Sequence, residues 1–301
     1  MQSRTPKLII PPFLEPGDTI GIPAPASLYD QGLLEKGVQV LEGWGFKTRP
    51  GRSRIRKKRF LAGSDPERAA ELAEMFLDPE IRAVICARGG YGALRILERL
   101  DYRVIRKNPK LFIGFSDITV LLTAFWGKAG LMTFHGPVVT TLARSGPVSR
   151  EHLRSLLLGG LPETILLPPA GKISGGRADG VLLGGNLTLL THLIGTPFEP
   201  SWKGAILFVE DQGEAPYRLD RLLVHLRLSG VLERISGLLL GQLSEDKTAK
   251  SDWELFRENF NGLNIPIWRG LPIGHGRENL TLPIGAPVEL DGEQGRLTFL
   301  W

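Results

Sequence analysis

Short apolar runs that stop at a turn and hand over to a helix constrain this chain more than any other feature of its 301 residues. Ala83-Val84-Ile85-Cys86-Ala87 is the sharpest of them. Five apolar residues without alternation fit a strand whose two faces are both covered. The run empties into Arg88-Gly89-Gly90-Tyr91-Gly92 and a helix over 93–100. The same order recurs in Leu111-Phe112-Ile113-Gly114, followed by Ser116, a helix over 118–126 and a further strand over 131–134. Upstream, a strand over 18–24 precedes Leu33, Leu34, Val38 and Leu41 at helical spacing, and Gly43 and Gly45 end that helix. Ser64-Asp65-Pro66-Glu67 fits a capping box with proline near the first turn, so a second helix runs from there through Phe76. Strands and helices alternating over short links predict an α/β domain with a parallel sheet, whose working groups gather at the carboxyl ends of the strands.

A helix over 149–158 is followed by a change of composition. Gly and Pro crowd the stretch from Gly159 to Gly180, which reads as an interdomain linker over 161–180. The expected organisation is an N-terminal α/β domain over 1–160 and a smaller C-terminal α+β domain over 181–301. The second half opens with an apolar run over 181–186 and a helix over 187–194. A strand over 205–209 then delivers Glu210 and Asp211 at its carboxyl end, and Tyr217 to Leu228 reads as an amphipathic helix. Short strands over 237–240 and 266–268 follow, and 288–290 with 297–300 read as a hairpin.

Composition excludes several classes. A hydrophobic content of 42% and a charged content of 23% are those of a soluble globular chain. No apolar run reaches the length of a membrane span, and the first seven residues lack the apolar region of a secretory signal. The single cysteine, Cys86, gives no disulfide framework, and a cytoplasmic location is expected. The net charge of +5 is densest over Arg52, Arg54, Arg56, Lys57, Lys58 and Arg59. That cluster reads as a solvated loop, because no nucleic-acid recognition module accompanies it. There is no His-Glu-x-x-His, no Cys-x-x-Cys and no carboxylate cluster at ligand spacing, so neither a metal nor another cofactor is expected. The 88–92 turn lacks the patterns of dinucleotide and P-loop sites, but its backbone N–H groups could face an oxyanion or a phosphate.

Ser116 admits two readings. Serine commonly caps a helix, and Asp117 follows it near a helix start. A serine on a sharp strand-to-helix turn also has its hydroxyl lifted beside helix N-terminal N–H groups, as a nucleophile requires. Such a nucleophile needs a base with an orienting carboxylate. His275, in Gly274-His275-Gly276, has glycines on both sides, a pattern of close backbone or ligand approach. His135 follows a strand and is equally open to a packing or a cleft role, whereas His152, His192 and His225 lie in helical patterns. Glu210 and Asp211 occupy the strand end from which an orienting acid acts. The Ser…Glu…His order matches the α/β-hydrolases, but Ile118 stands where their elbow has its second glycine. A non-catalytic two-domain binding protein is the rival outside enzymes.

The chain resembles the LD-carboxypeptidase family of serine peptidases, which includes the microcin-immunity peptidases. The resemblance runs over nearly the whole length. It is carried by Arg88-Gly89-Gly90-Tyr91-Gly92, Gly114-Phe115-Ser116-Asp117, Thr133-Phe134-His135-Gly136-Pro137, Gly184-Gly185-Asn186-Leu187, Glu210-Asp211 with Tyr217-Arg218-Leu219-Asp220-Arg221, and Gly274-His275-Gly276. It implies that Ser116 is the nucleophile, His275 the general base and Glu210 its orienting acid. The nucleophile would come from the first domain and its two partners from the second, with the active site between the domains. The oxyanion hole would fall on the backbone N–H groups of Asp117, Gly89 and Gly90, and substrate contacts on Arg88, Tyr91, His135 and Asn186. The implied substrate is a small peptide, the murein tetrapeptide, cut before its terminal D-alanine during cell-wall recycling by a homodimer. No nucleic acid and no membrane enters as a partner. Peptidyl-nucleotides, the substrates of the microcin-immunity branch, are the alternative. The long second-domain insertion associated with that branch is not evident here, which favours murein.

Overall fold

The computed structural model describes residues 7–52, 60–243, 256 and 258–301. The first six residues and all of the basic cluster except Arg52 lie outside the described residues. The chain forms two compact units, Met1–Leu161 with Arg277–Ile284, and Pro162–Gly276 with Gly285–Trp301.

In the first unit β1 (Thr19–Ile22), β2 (Lys47–Pro50), β3 (Ile81–Ile85), β4 (Leu111–Gly114) and β5 (Thr133–His135) lie parallel in the order β5-β4-β3-β1-β2. Ala83, Val84 and Ile85 have no exposed surface, as expected of a strand covered on both faces. The helix Asp65–Leu77 starts as its sequence predicts: Ser64 Oγ accepts the Glu67 N–H, and the Glu67 carboxylate accepts the Ser64 N–H. Its buried Phe76 meets Phe112 of β4 and Phe125, the latter two with ring centroids 4.7 Å apart. After Ser116 the helix is composite. One tight turn over Ser116–Ile118 leads into the α-helix Thr119–Ala124 and a wider π turn over Phe125–Ala129. Strand order reverses at β1 and β3, and in such sheets ligands gather outside the carboxyl ends at that point.

The stretch over 161–180 is not a linker. It supplies β6 (Thr164–Leu166), β7 (Lys172–Ser174) and the start of β8 (Arg177–Asn186). With β9 (Ala205–Glu210), β10 (Gly237–Leu240) and β11 (Ile267–Arg269) these belong to the second unit's eight-stranded sheet. Strands β8 to β11 run parallel, and β7 closes one edge antiparallel to β11. The prolines and glycines fit this placement. Pro162, Pro168 and Pro169 fall outside the strands rather than within them, and a Cβ on Gly180 would stand 2.2 Å from the Gly204 carbonyl oxygen.

The second boundary also needs correction, because β12 (Leu282–Ile284) belongs to the first unit. It pairs antiparallel with β5 and completes a six-stranded sheet. The Glu278 carboxylate accepts the Ser149 N–H at 2.8 Å and its hydroxyl at 2.7 Å, capping the helix Pro147–Leu157, and His152 Nδ1 accepts the Thr281 N–H. The chain then returns to the second unit for β13 (Pro287–Asp291) and β14 (Arg296–Phe299), the expected hairpin, with β13 on β8 and β14 on β6.

Candidate active site

Strand β4 is buried throughout and ends at Gly114. Phe115 is still extended, and Ser116 then turns sharply, with φ at +60°. Among the described residues it is the one non-glycine with positive φ. A strained backbone of this kind costs about 1–3 kcal/mol and persists only where surrounding structure imposes it. The turn after β3 supplies part of that imposition. A Cβ on Gly89 would stand 2.9 Å from the Ser116 Cβ, 3.2 Å from its Oγ and 3.1 Å from the Phe115 carbonyl oxygen. Glycine at 89 is therefore what lets the two turns touch. Ser27, which follows β1, braces the same turn: its Oγ accepts the Tyr91 N–H at 2.9 Å and its own N–H donates to Gly89 O. The Ser116 and Gly89 turns thus lie at adjacent carboxyl ends beside the strand-order reversal.

Two buried groups sit under these turns. Arg68 is fully buried and donates to the carbonyl oxygens of Pro25 and Gly92 and to the Asp65 carboxylate. Asp117 is also buried and accepts the Ala93 N–H at 2.7 Å. Burial pushes its carboxyl up to about 6, against the opposing pull of the Ala93 N–H and the Arg68 charge. Sequence reading assigned the Asp117 backbone a role but missed its side chain, and it missed Arg68 and Ser27. Their signal is faint, because each acts on backbone groups of another segment.

In the second unit, β9 carries Glu210 with no exposed surface. Its Oε2 lies 2.7 Å from His275 Nδ1. Gly274 makes this approach possible: its φ is +108°, and a Cβ there would stand 2.6 Å from that same oxygen. Burial raises the Glu210 pKa, and the His275 hydrogen bond and charge draw it part of the way back. For His275, burial lowers the pKa, but the Glu210 hydrogen bond and charge, with Asp211, carry it above its usual 6.5. Asp211 belongs to the scaffold. It accepts from Asn186 Nδ2, from the Thr188 N–H and hydroxyl, and from the Gln212 N–H.

The four expected substrate contacts divide. Arg88 and Tyr91 are exposed, Arg88 donating to Leu28 O and Tyr91 edge-on to Phe60 at 5.3 Å. His135 has no exposed surface and packs edge-on to Phe115 at 6.0 Å. Asn186 is buried, caps the helix Leu187–Leu193 through the Leu189 N–H, and lies across from Glu210 in the β8–β9 register. Both thus lie inside the first and second units respectively, whereas Arg88 and Tyr91 lie at the surface. Among the described residues no group of three His, Cys, Asp or Glu could hold a metal ion, and no helix is long and apolar enough to cross a membrane.

A strained serine against a glycine turn in one α/β unit, and a histidine on a buried glutamate in the other, are parts found in serine hydrolases. The family is then fixed by similarity. Residues 20–136 match the LD-carboxypeptidase N-terminal domain and residues 179–290 the LD-carboxypeptidase C-terminal domain. The chain is 36% identical over 296 residues to the murein tetrapeptide carboxypeptidase of Pseudomonas aeruginosa, covering 92% of this chain and 94% of that protein. It is 30% identical to the microcin C7 self-immunity protein MccF of Escherichia coli, over 91% of each. The crystal structure of muramoyltetrapeptide carboxypeptidase from Oxalobacter formigenes superposes with a TM-score of 0.82 at 32% identity, covering 93% of this chain and 97% of that one. The chain belongs to the LD-carboxypeptidase family.

Proposed function

We propose that the chain is a serine carboxypeptidase that hydrolyses the LD-amide bond before the terminal D-alanine of murein tetrapeptides. Ser116 Oγ attacks the scissile carbonyl while His275 Nε2 takes its proton. Glu210, on Nδ1, holds the tautomer that leaves Nε2 as the acceptor, and it stabilises the imidazolium. Backbone N–H groups of Asp117, Gly89 and Gly90 hold the oxyanion. The imidazolium returns its proton to the departing D-alanine amine, and water then hydrolyses the acyl-enzyme. The observation that carries this reading is the 2.7 Å Glu210–His275 contact, because it commits one ring nitrogen to a buried carboxylate. The strain at Ser116 and the Pseudomonas relative's name support it. The reading includes a cytoplasmic homodimer, checked by cell fractionation and analytical ultracentrifugation.

Incubation with murein tetrapeptide and with its all-L isomer, followed by mass detection of released alanine, tests the substrate. Release from the D-terminated peptide alone is expected, and equal cleavage of both refutes the LD assignment. Preferential cleavage of an aminoacyl sulfamoyl nucleoside would move the chain to the microcin-immunity branch. Ser116→Ala and His275→Ala should each lower kcat by roughly 10⁴–10⁶, and the double variant should lose little more.

A further inference from the structure

The proposed mechanism leaves one buried ionisable group next to the nucleophile without a task. Asp117 adjoins Ser116 in the chain, yet its side chain does not serve its own helix. It reaches back 24 residues to accept the Ala93 N–H at 2.7 Å. Ala93 begins the tight helix Ala93–Arg99, whose preceding residue is Gly92 and has no side chain with which to cap it. The cap thus comes from the neighbouring turn. On the far side of the same junction Arg68 Nη1 holds the Gly92 carbonyl oxygen at 2.9 Å. Gly92 closes the turn that begins at Arg88, so both its last carbonyl and the first N–H beyond it are held by buried charged side chains.

We propose that the Asp117 side chain is a positioning residue for the oxyanion site, fixing the Gly89–Gly92 turn against the Ser116 turn through the Ala93 N–H. This rests on Ser116 being the nucleophile. Residue 117 then contributes twice, its backbone N–H on one wall of the oxyanion site and its carboxylate as the tie to the other wall. The coupling follows from the packing, since Gly89 lies against Ser116 and Phe115 with no room for a Cβ. Any slack in the turn becomes slack beside the hydroxyl. A misplacement of about 1 Å near reacting atoms can cost roughly 100-fold in rate. The loss would fall on kcat, because the oxyanion forms only in the transition state.

Three variants test this on murein tetrapeptide. Asp117→Ala removes the acceptor, Asp117→Ser keeps a polar atom but falls short of Ala93, and Asp117→Asn keeps an oxygen at the right distance. Folded alanine and serine variants should lose roughly 100-fold in kcat with KM within about threefold, whereas asparagine should stay within about tenfold of wild type. Unchanged kcat in a folded alanine or serine variant overturns the proposal, as does a loss confined to KM. Should both short variants fail to fold, asparagine decides alone: kcat within tenfold supports the tie, and a 100-fold loss despite the retained acceptor overturns it. Ser116→Ala is the control for the underlying reading. Full activity in that variant removes the nucleophile assignment itself, while an inactive Ser116→Ala beside a fully active Asp117→Ala removes only the tie.

Discussion

Asp117→Asn should also change how the stability of the chain depends on pH. Asp117 is 3% exposed, and burial moves its carboxyl from 3.8 up to about 6, with the Ala93 N–H and Arg68 limiting the rise. The folded chain thus holds this proton more tightly than the unfolded chain does. Stability from this group is fully present below about 3.8 and is lost as pH rises to about 6. Roughly two pH units at about 1.4 kcal/mol each give ~3 kcal/mol. Asparagine does not titrate, so the variant escapes that loss. Its amide adds a contribution that does not vary with pH, and the informative quantity is the difference in stability between variant and wild type. That difference should move in the variant's favour by ~3 kcal/mol between about pH 4 and pH 7, then stay level. Urea unfolding of both proteins at half-unit pH steps measures it. A difference flat to within about 0.5 kcal/mol, or one that moves against the variant, refutes the claim that this carboxylate is ionised at a cost.

Gly89→Ala places a methyl group 2.9 Å from Ser116 Cβ, so the turn or the serine must shift; kcat should fall roughly 100-fold in the folded variant, and the melting temperature should fall with the overpacking cost of about 1–3 kcal/mol. Gly274→Ala forces a side chain onto a φ of +108° and to 2.6 Å from the Glu210 oxygen that meets His275; steady-state kinetics should show a loss of the same order or greater. If His275 is the base, it works unprotonated, so kcat/KM should fall tenfold per unit as pH drops below a His275 pKa that lies above 6.5. Glu210→Gln removes the group that raises this pKa against the lowering effect of burial. The acid limb should therefore move to lower pH while the plateau falls, and a limb that stays in place contradicts the pairing.

Local signals were readable in the sequence wherever one segment carries its own reason. The Ser64 capping box is four consecutive residues, and the Ala83–Ala87 run states its burial by lacking alternation. The edge strands could not be read that way. β6 pairs with β14 and β7 with β11, so their strand character comes from partners about a hundred residues away or more. Gly and Pro in those stretches are equally good loop formers and edge formers, and composition alone chose the loop. The return of Arg277–Ile284 to the first unit has the same cause. It depends on pairing with β5 and on Glu278 reaching Ser149, neither of which leaves a periodic trace. His135 stayed ambiguous because a buried strand end and a cleft wall have the same apolar neighbours. The turn at Ser116, the strand end at Glu210 and the glycine flank of His275 were legible locally, and their proposed roles rest on more than that; Arg68 and Ser27 bind backbone carbonyls and N–H groups, which leave no local signal.

The two halves of the proposed machinery are built by the same device. In each, a polar group stands at the carboxyl end of a buried strand, Ser116 after β4 and Glu210 on β9, and a glycine is pressed against it where no Cβ fits. Side-chain volume is removed on one side so that position is dictated from the other. In each, too, a buried carboxylate has a defined donor, Asp117 the Ala93 N–H and Glu210 the His275 ring. Water would offer either carboxylate many geometries, whereas the buried site leaves one. Burial costs stability, as the raised pKa values of both acids indicate, and a chain selected for stability alone would replace them with apolar residues. Their presence, one beside a strained serine and the other against a histidine, fits proposed machinery organised in advance for charge that develops only during reaction.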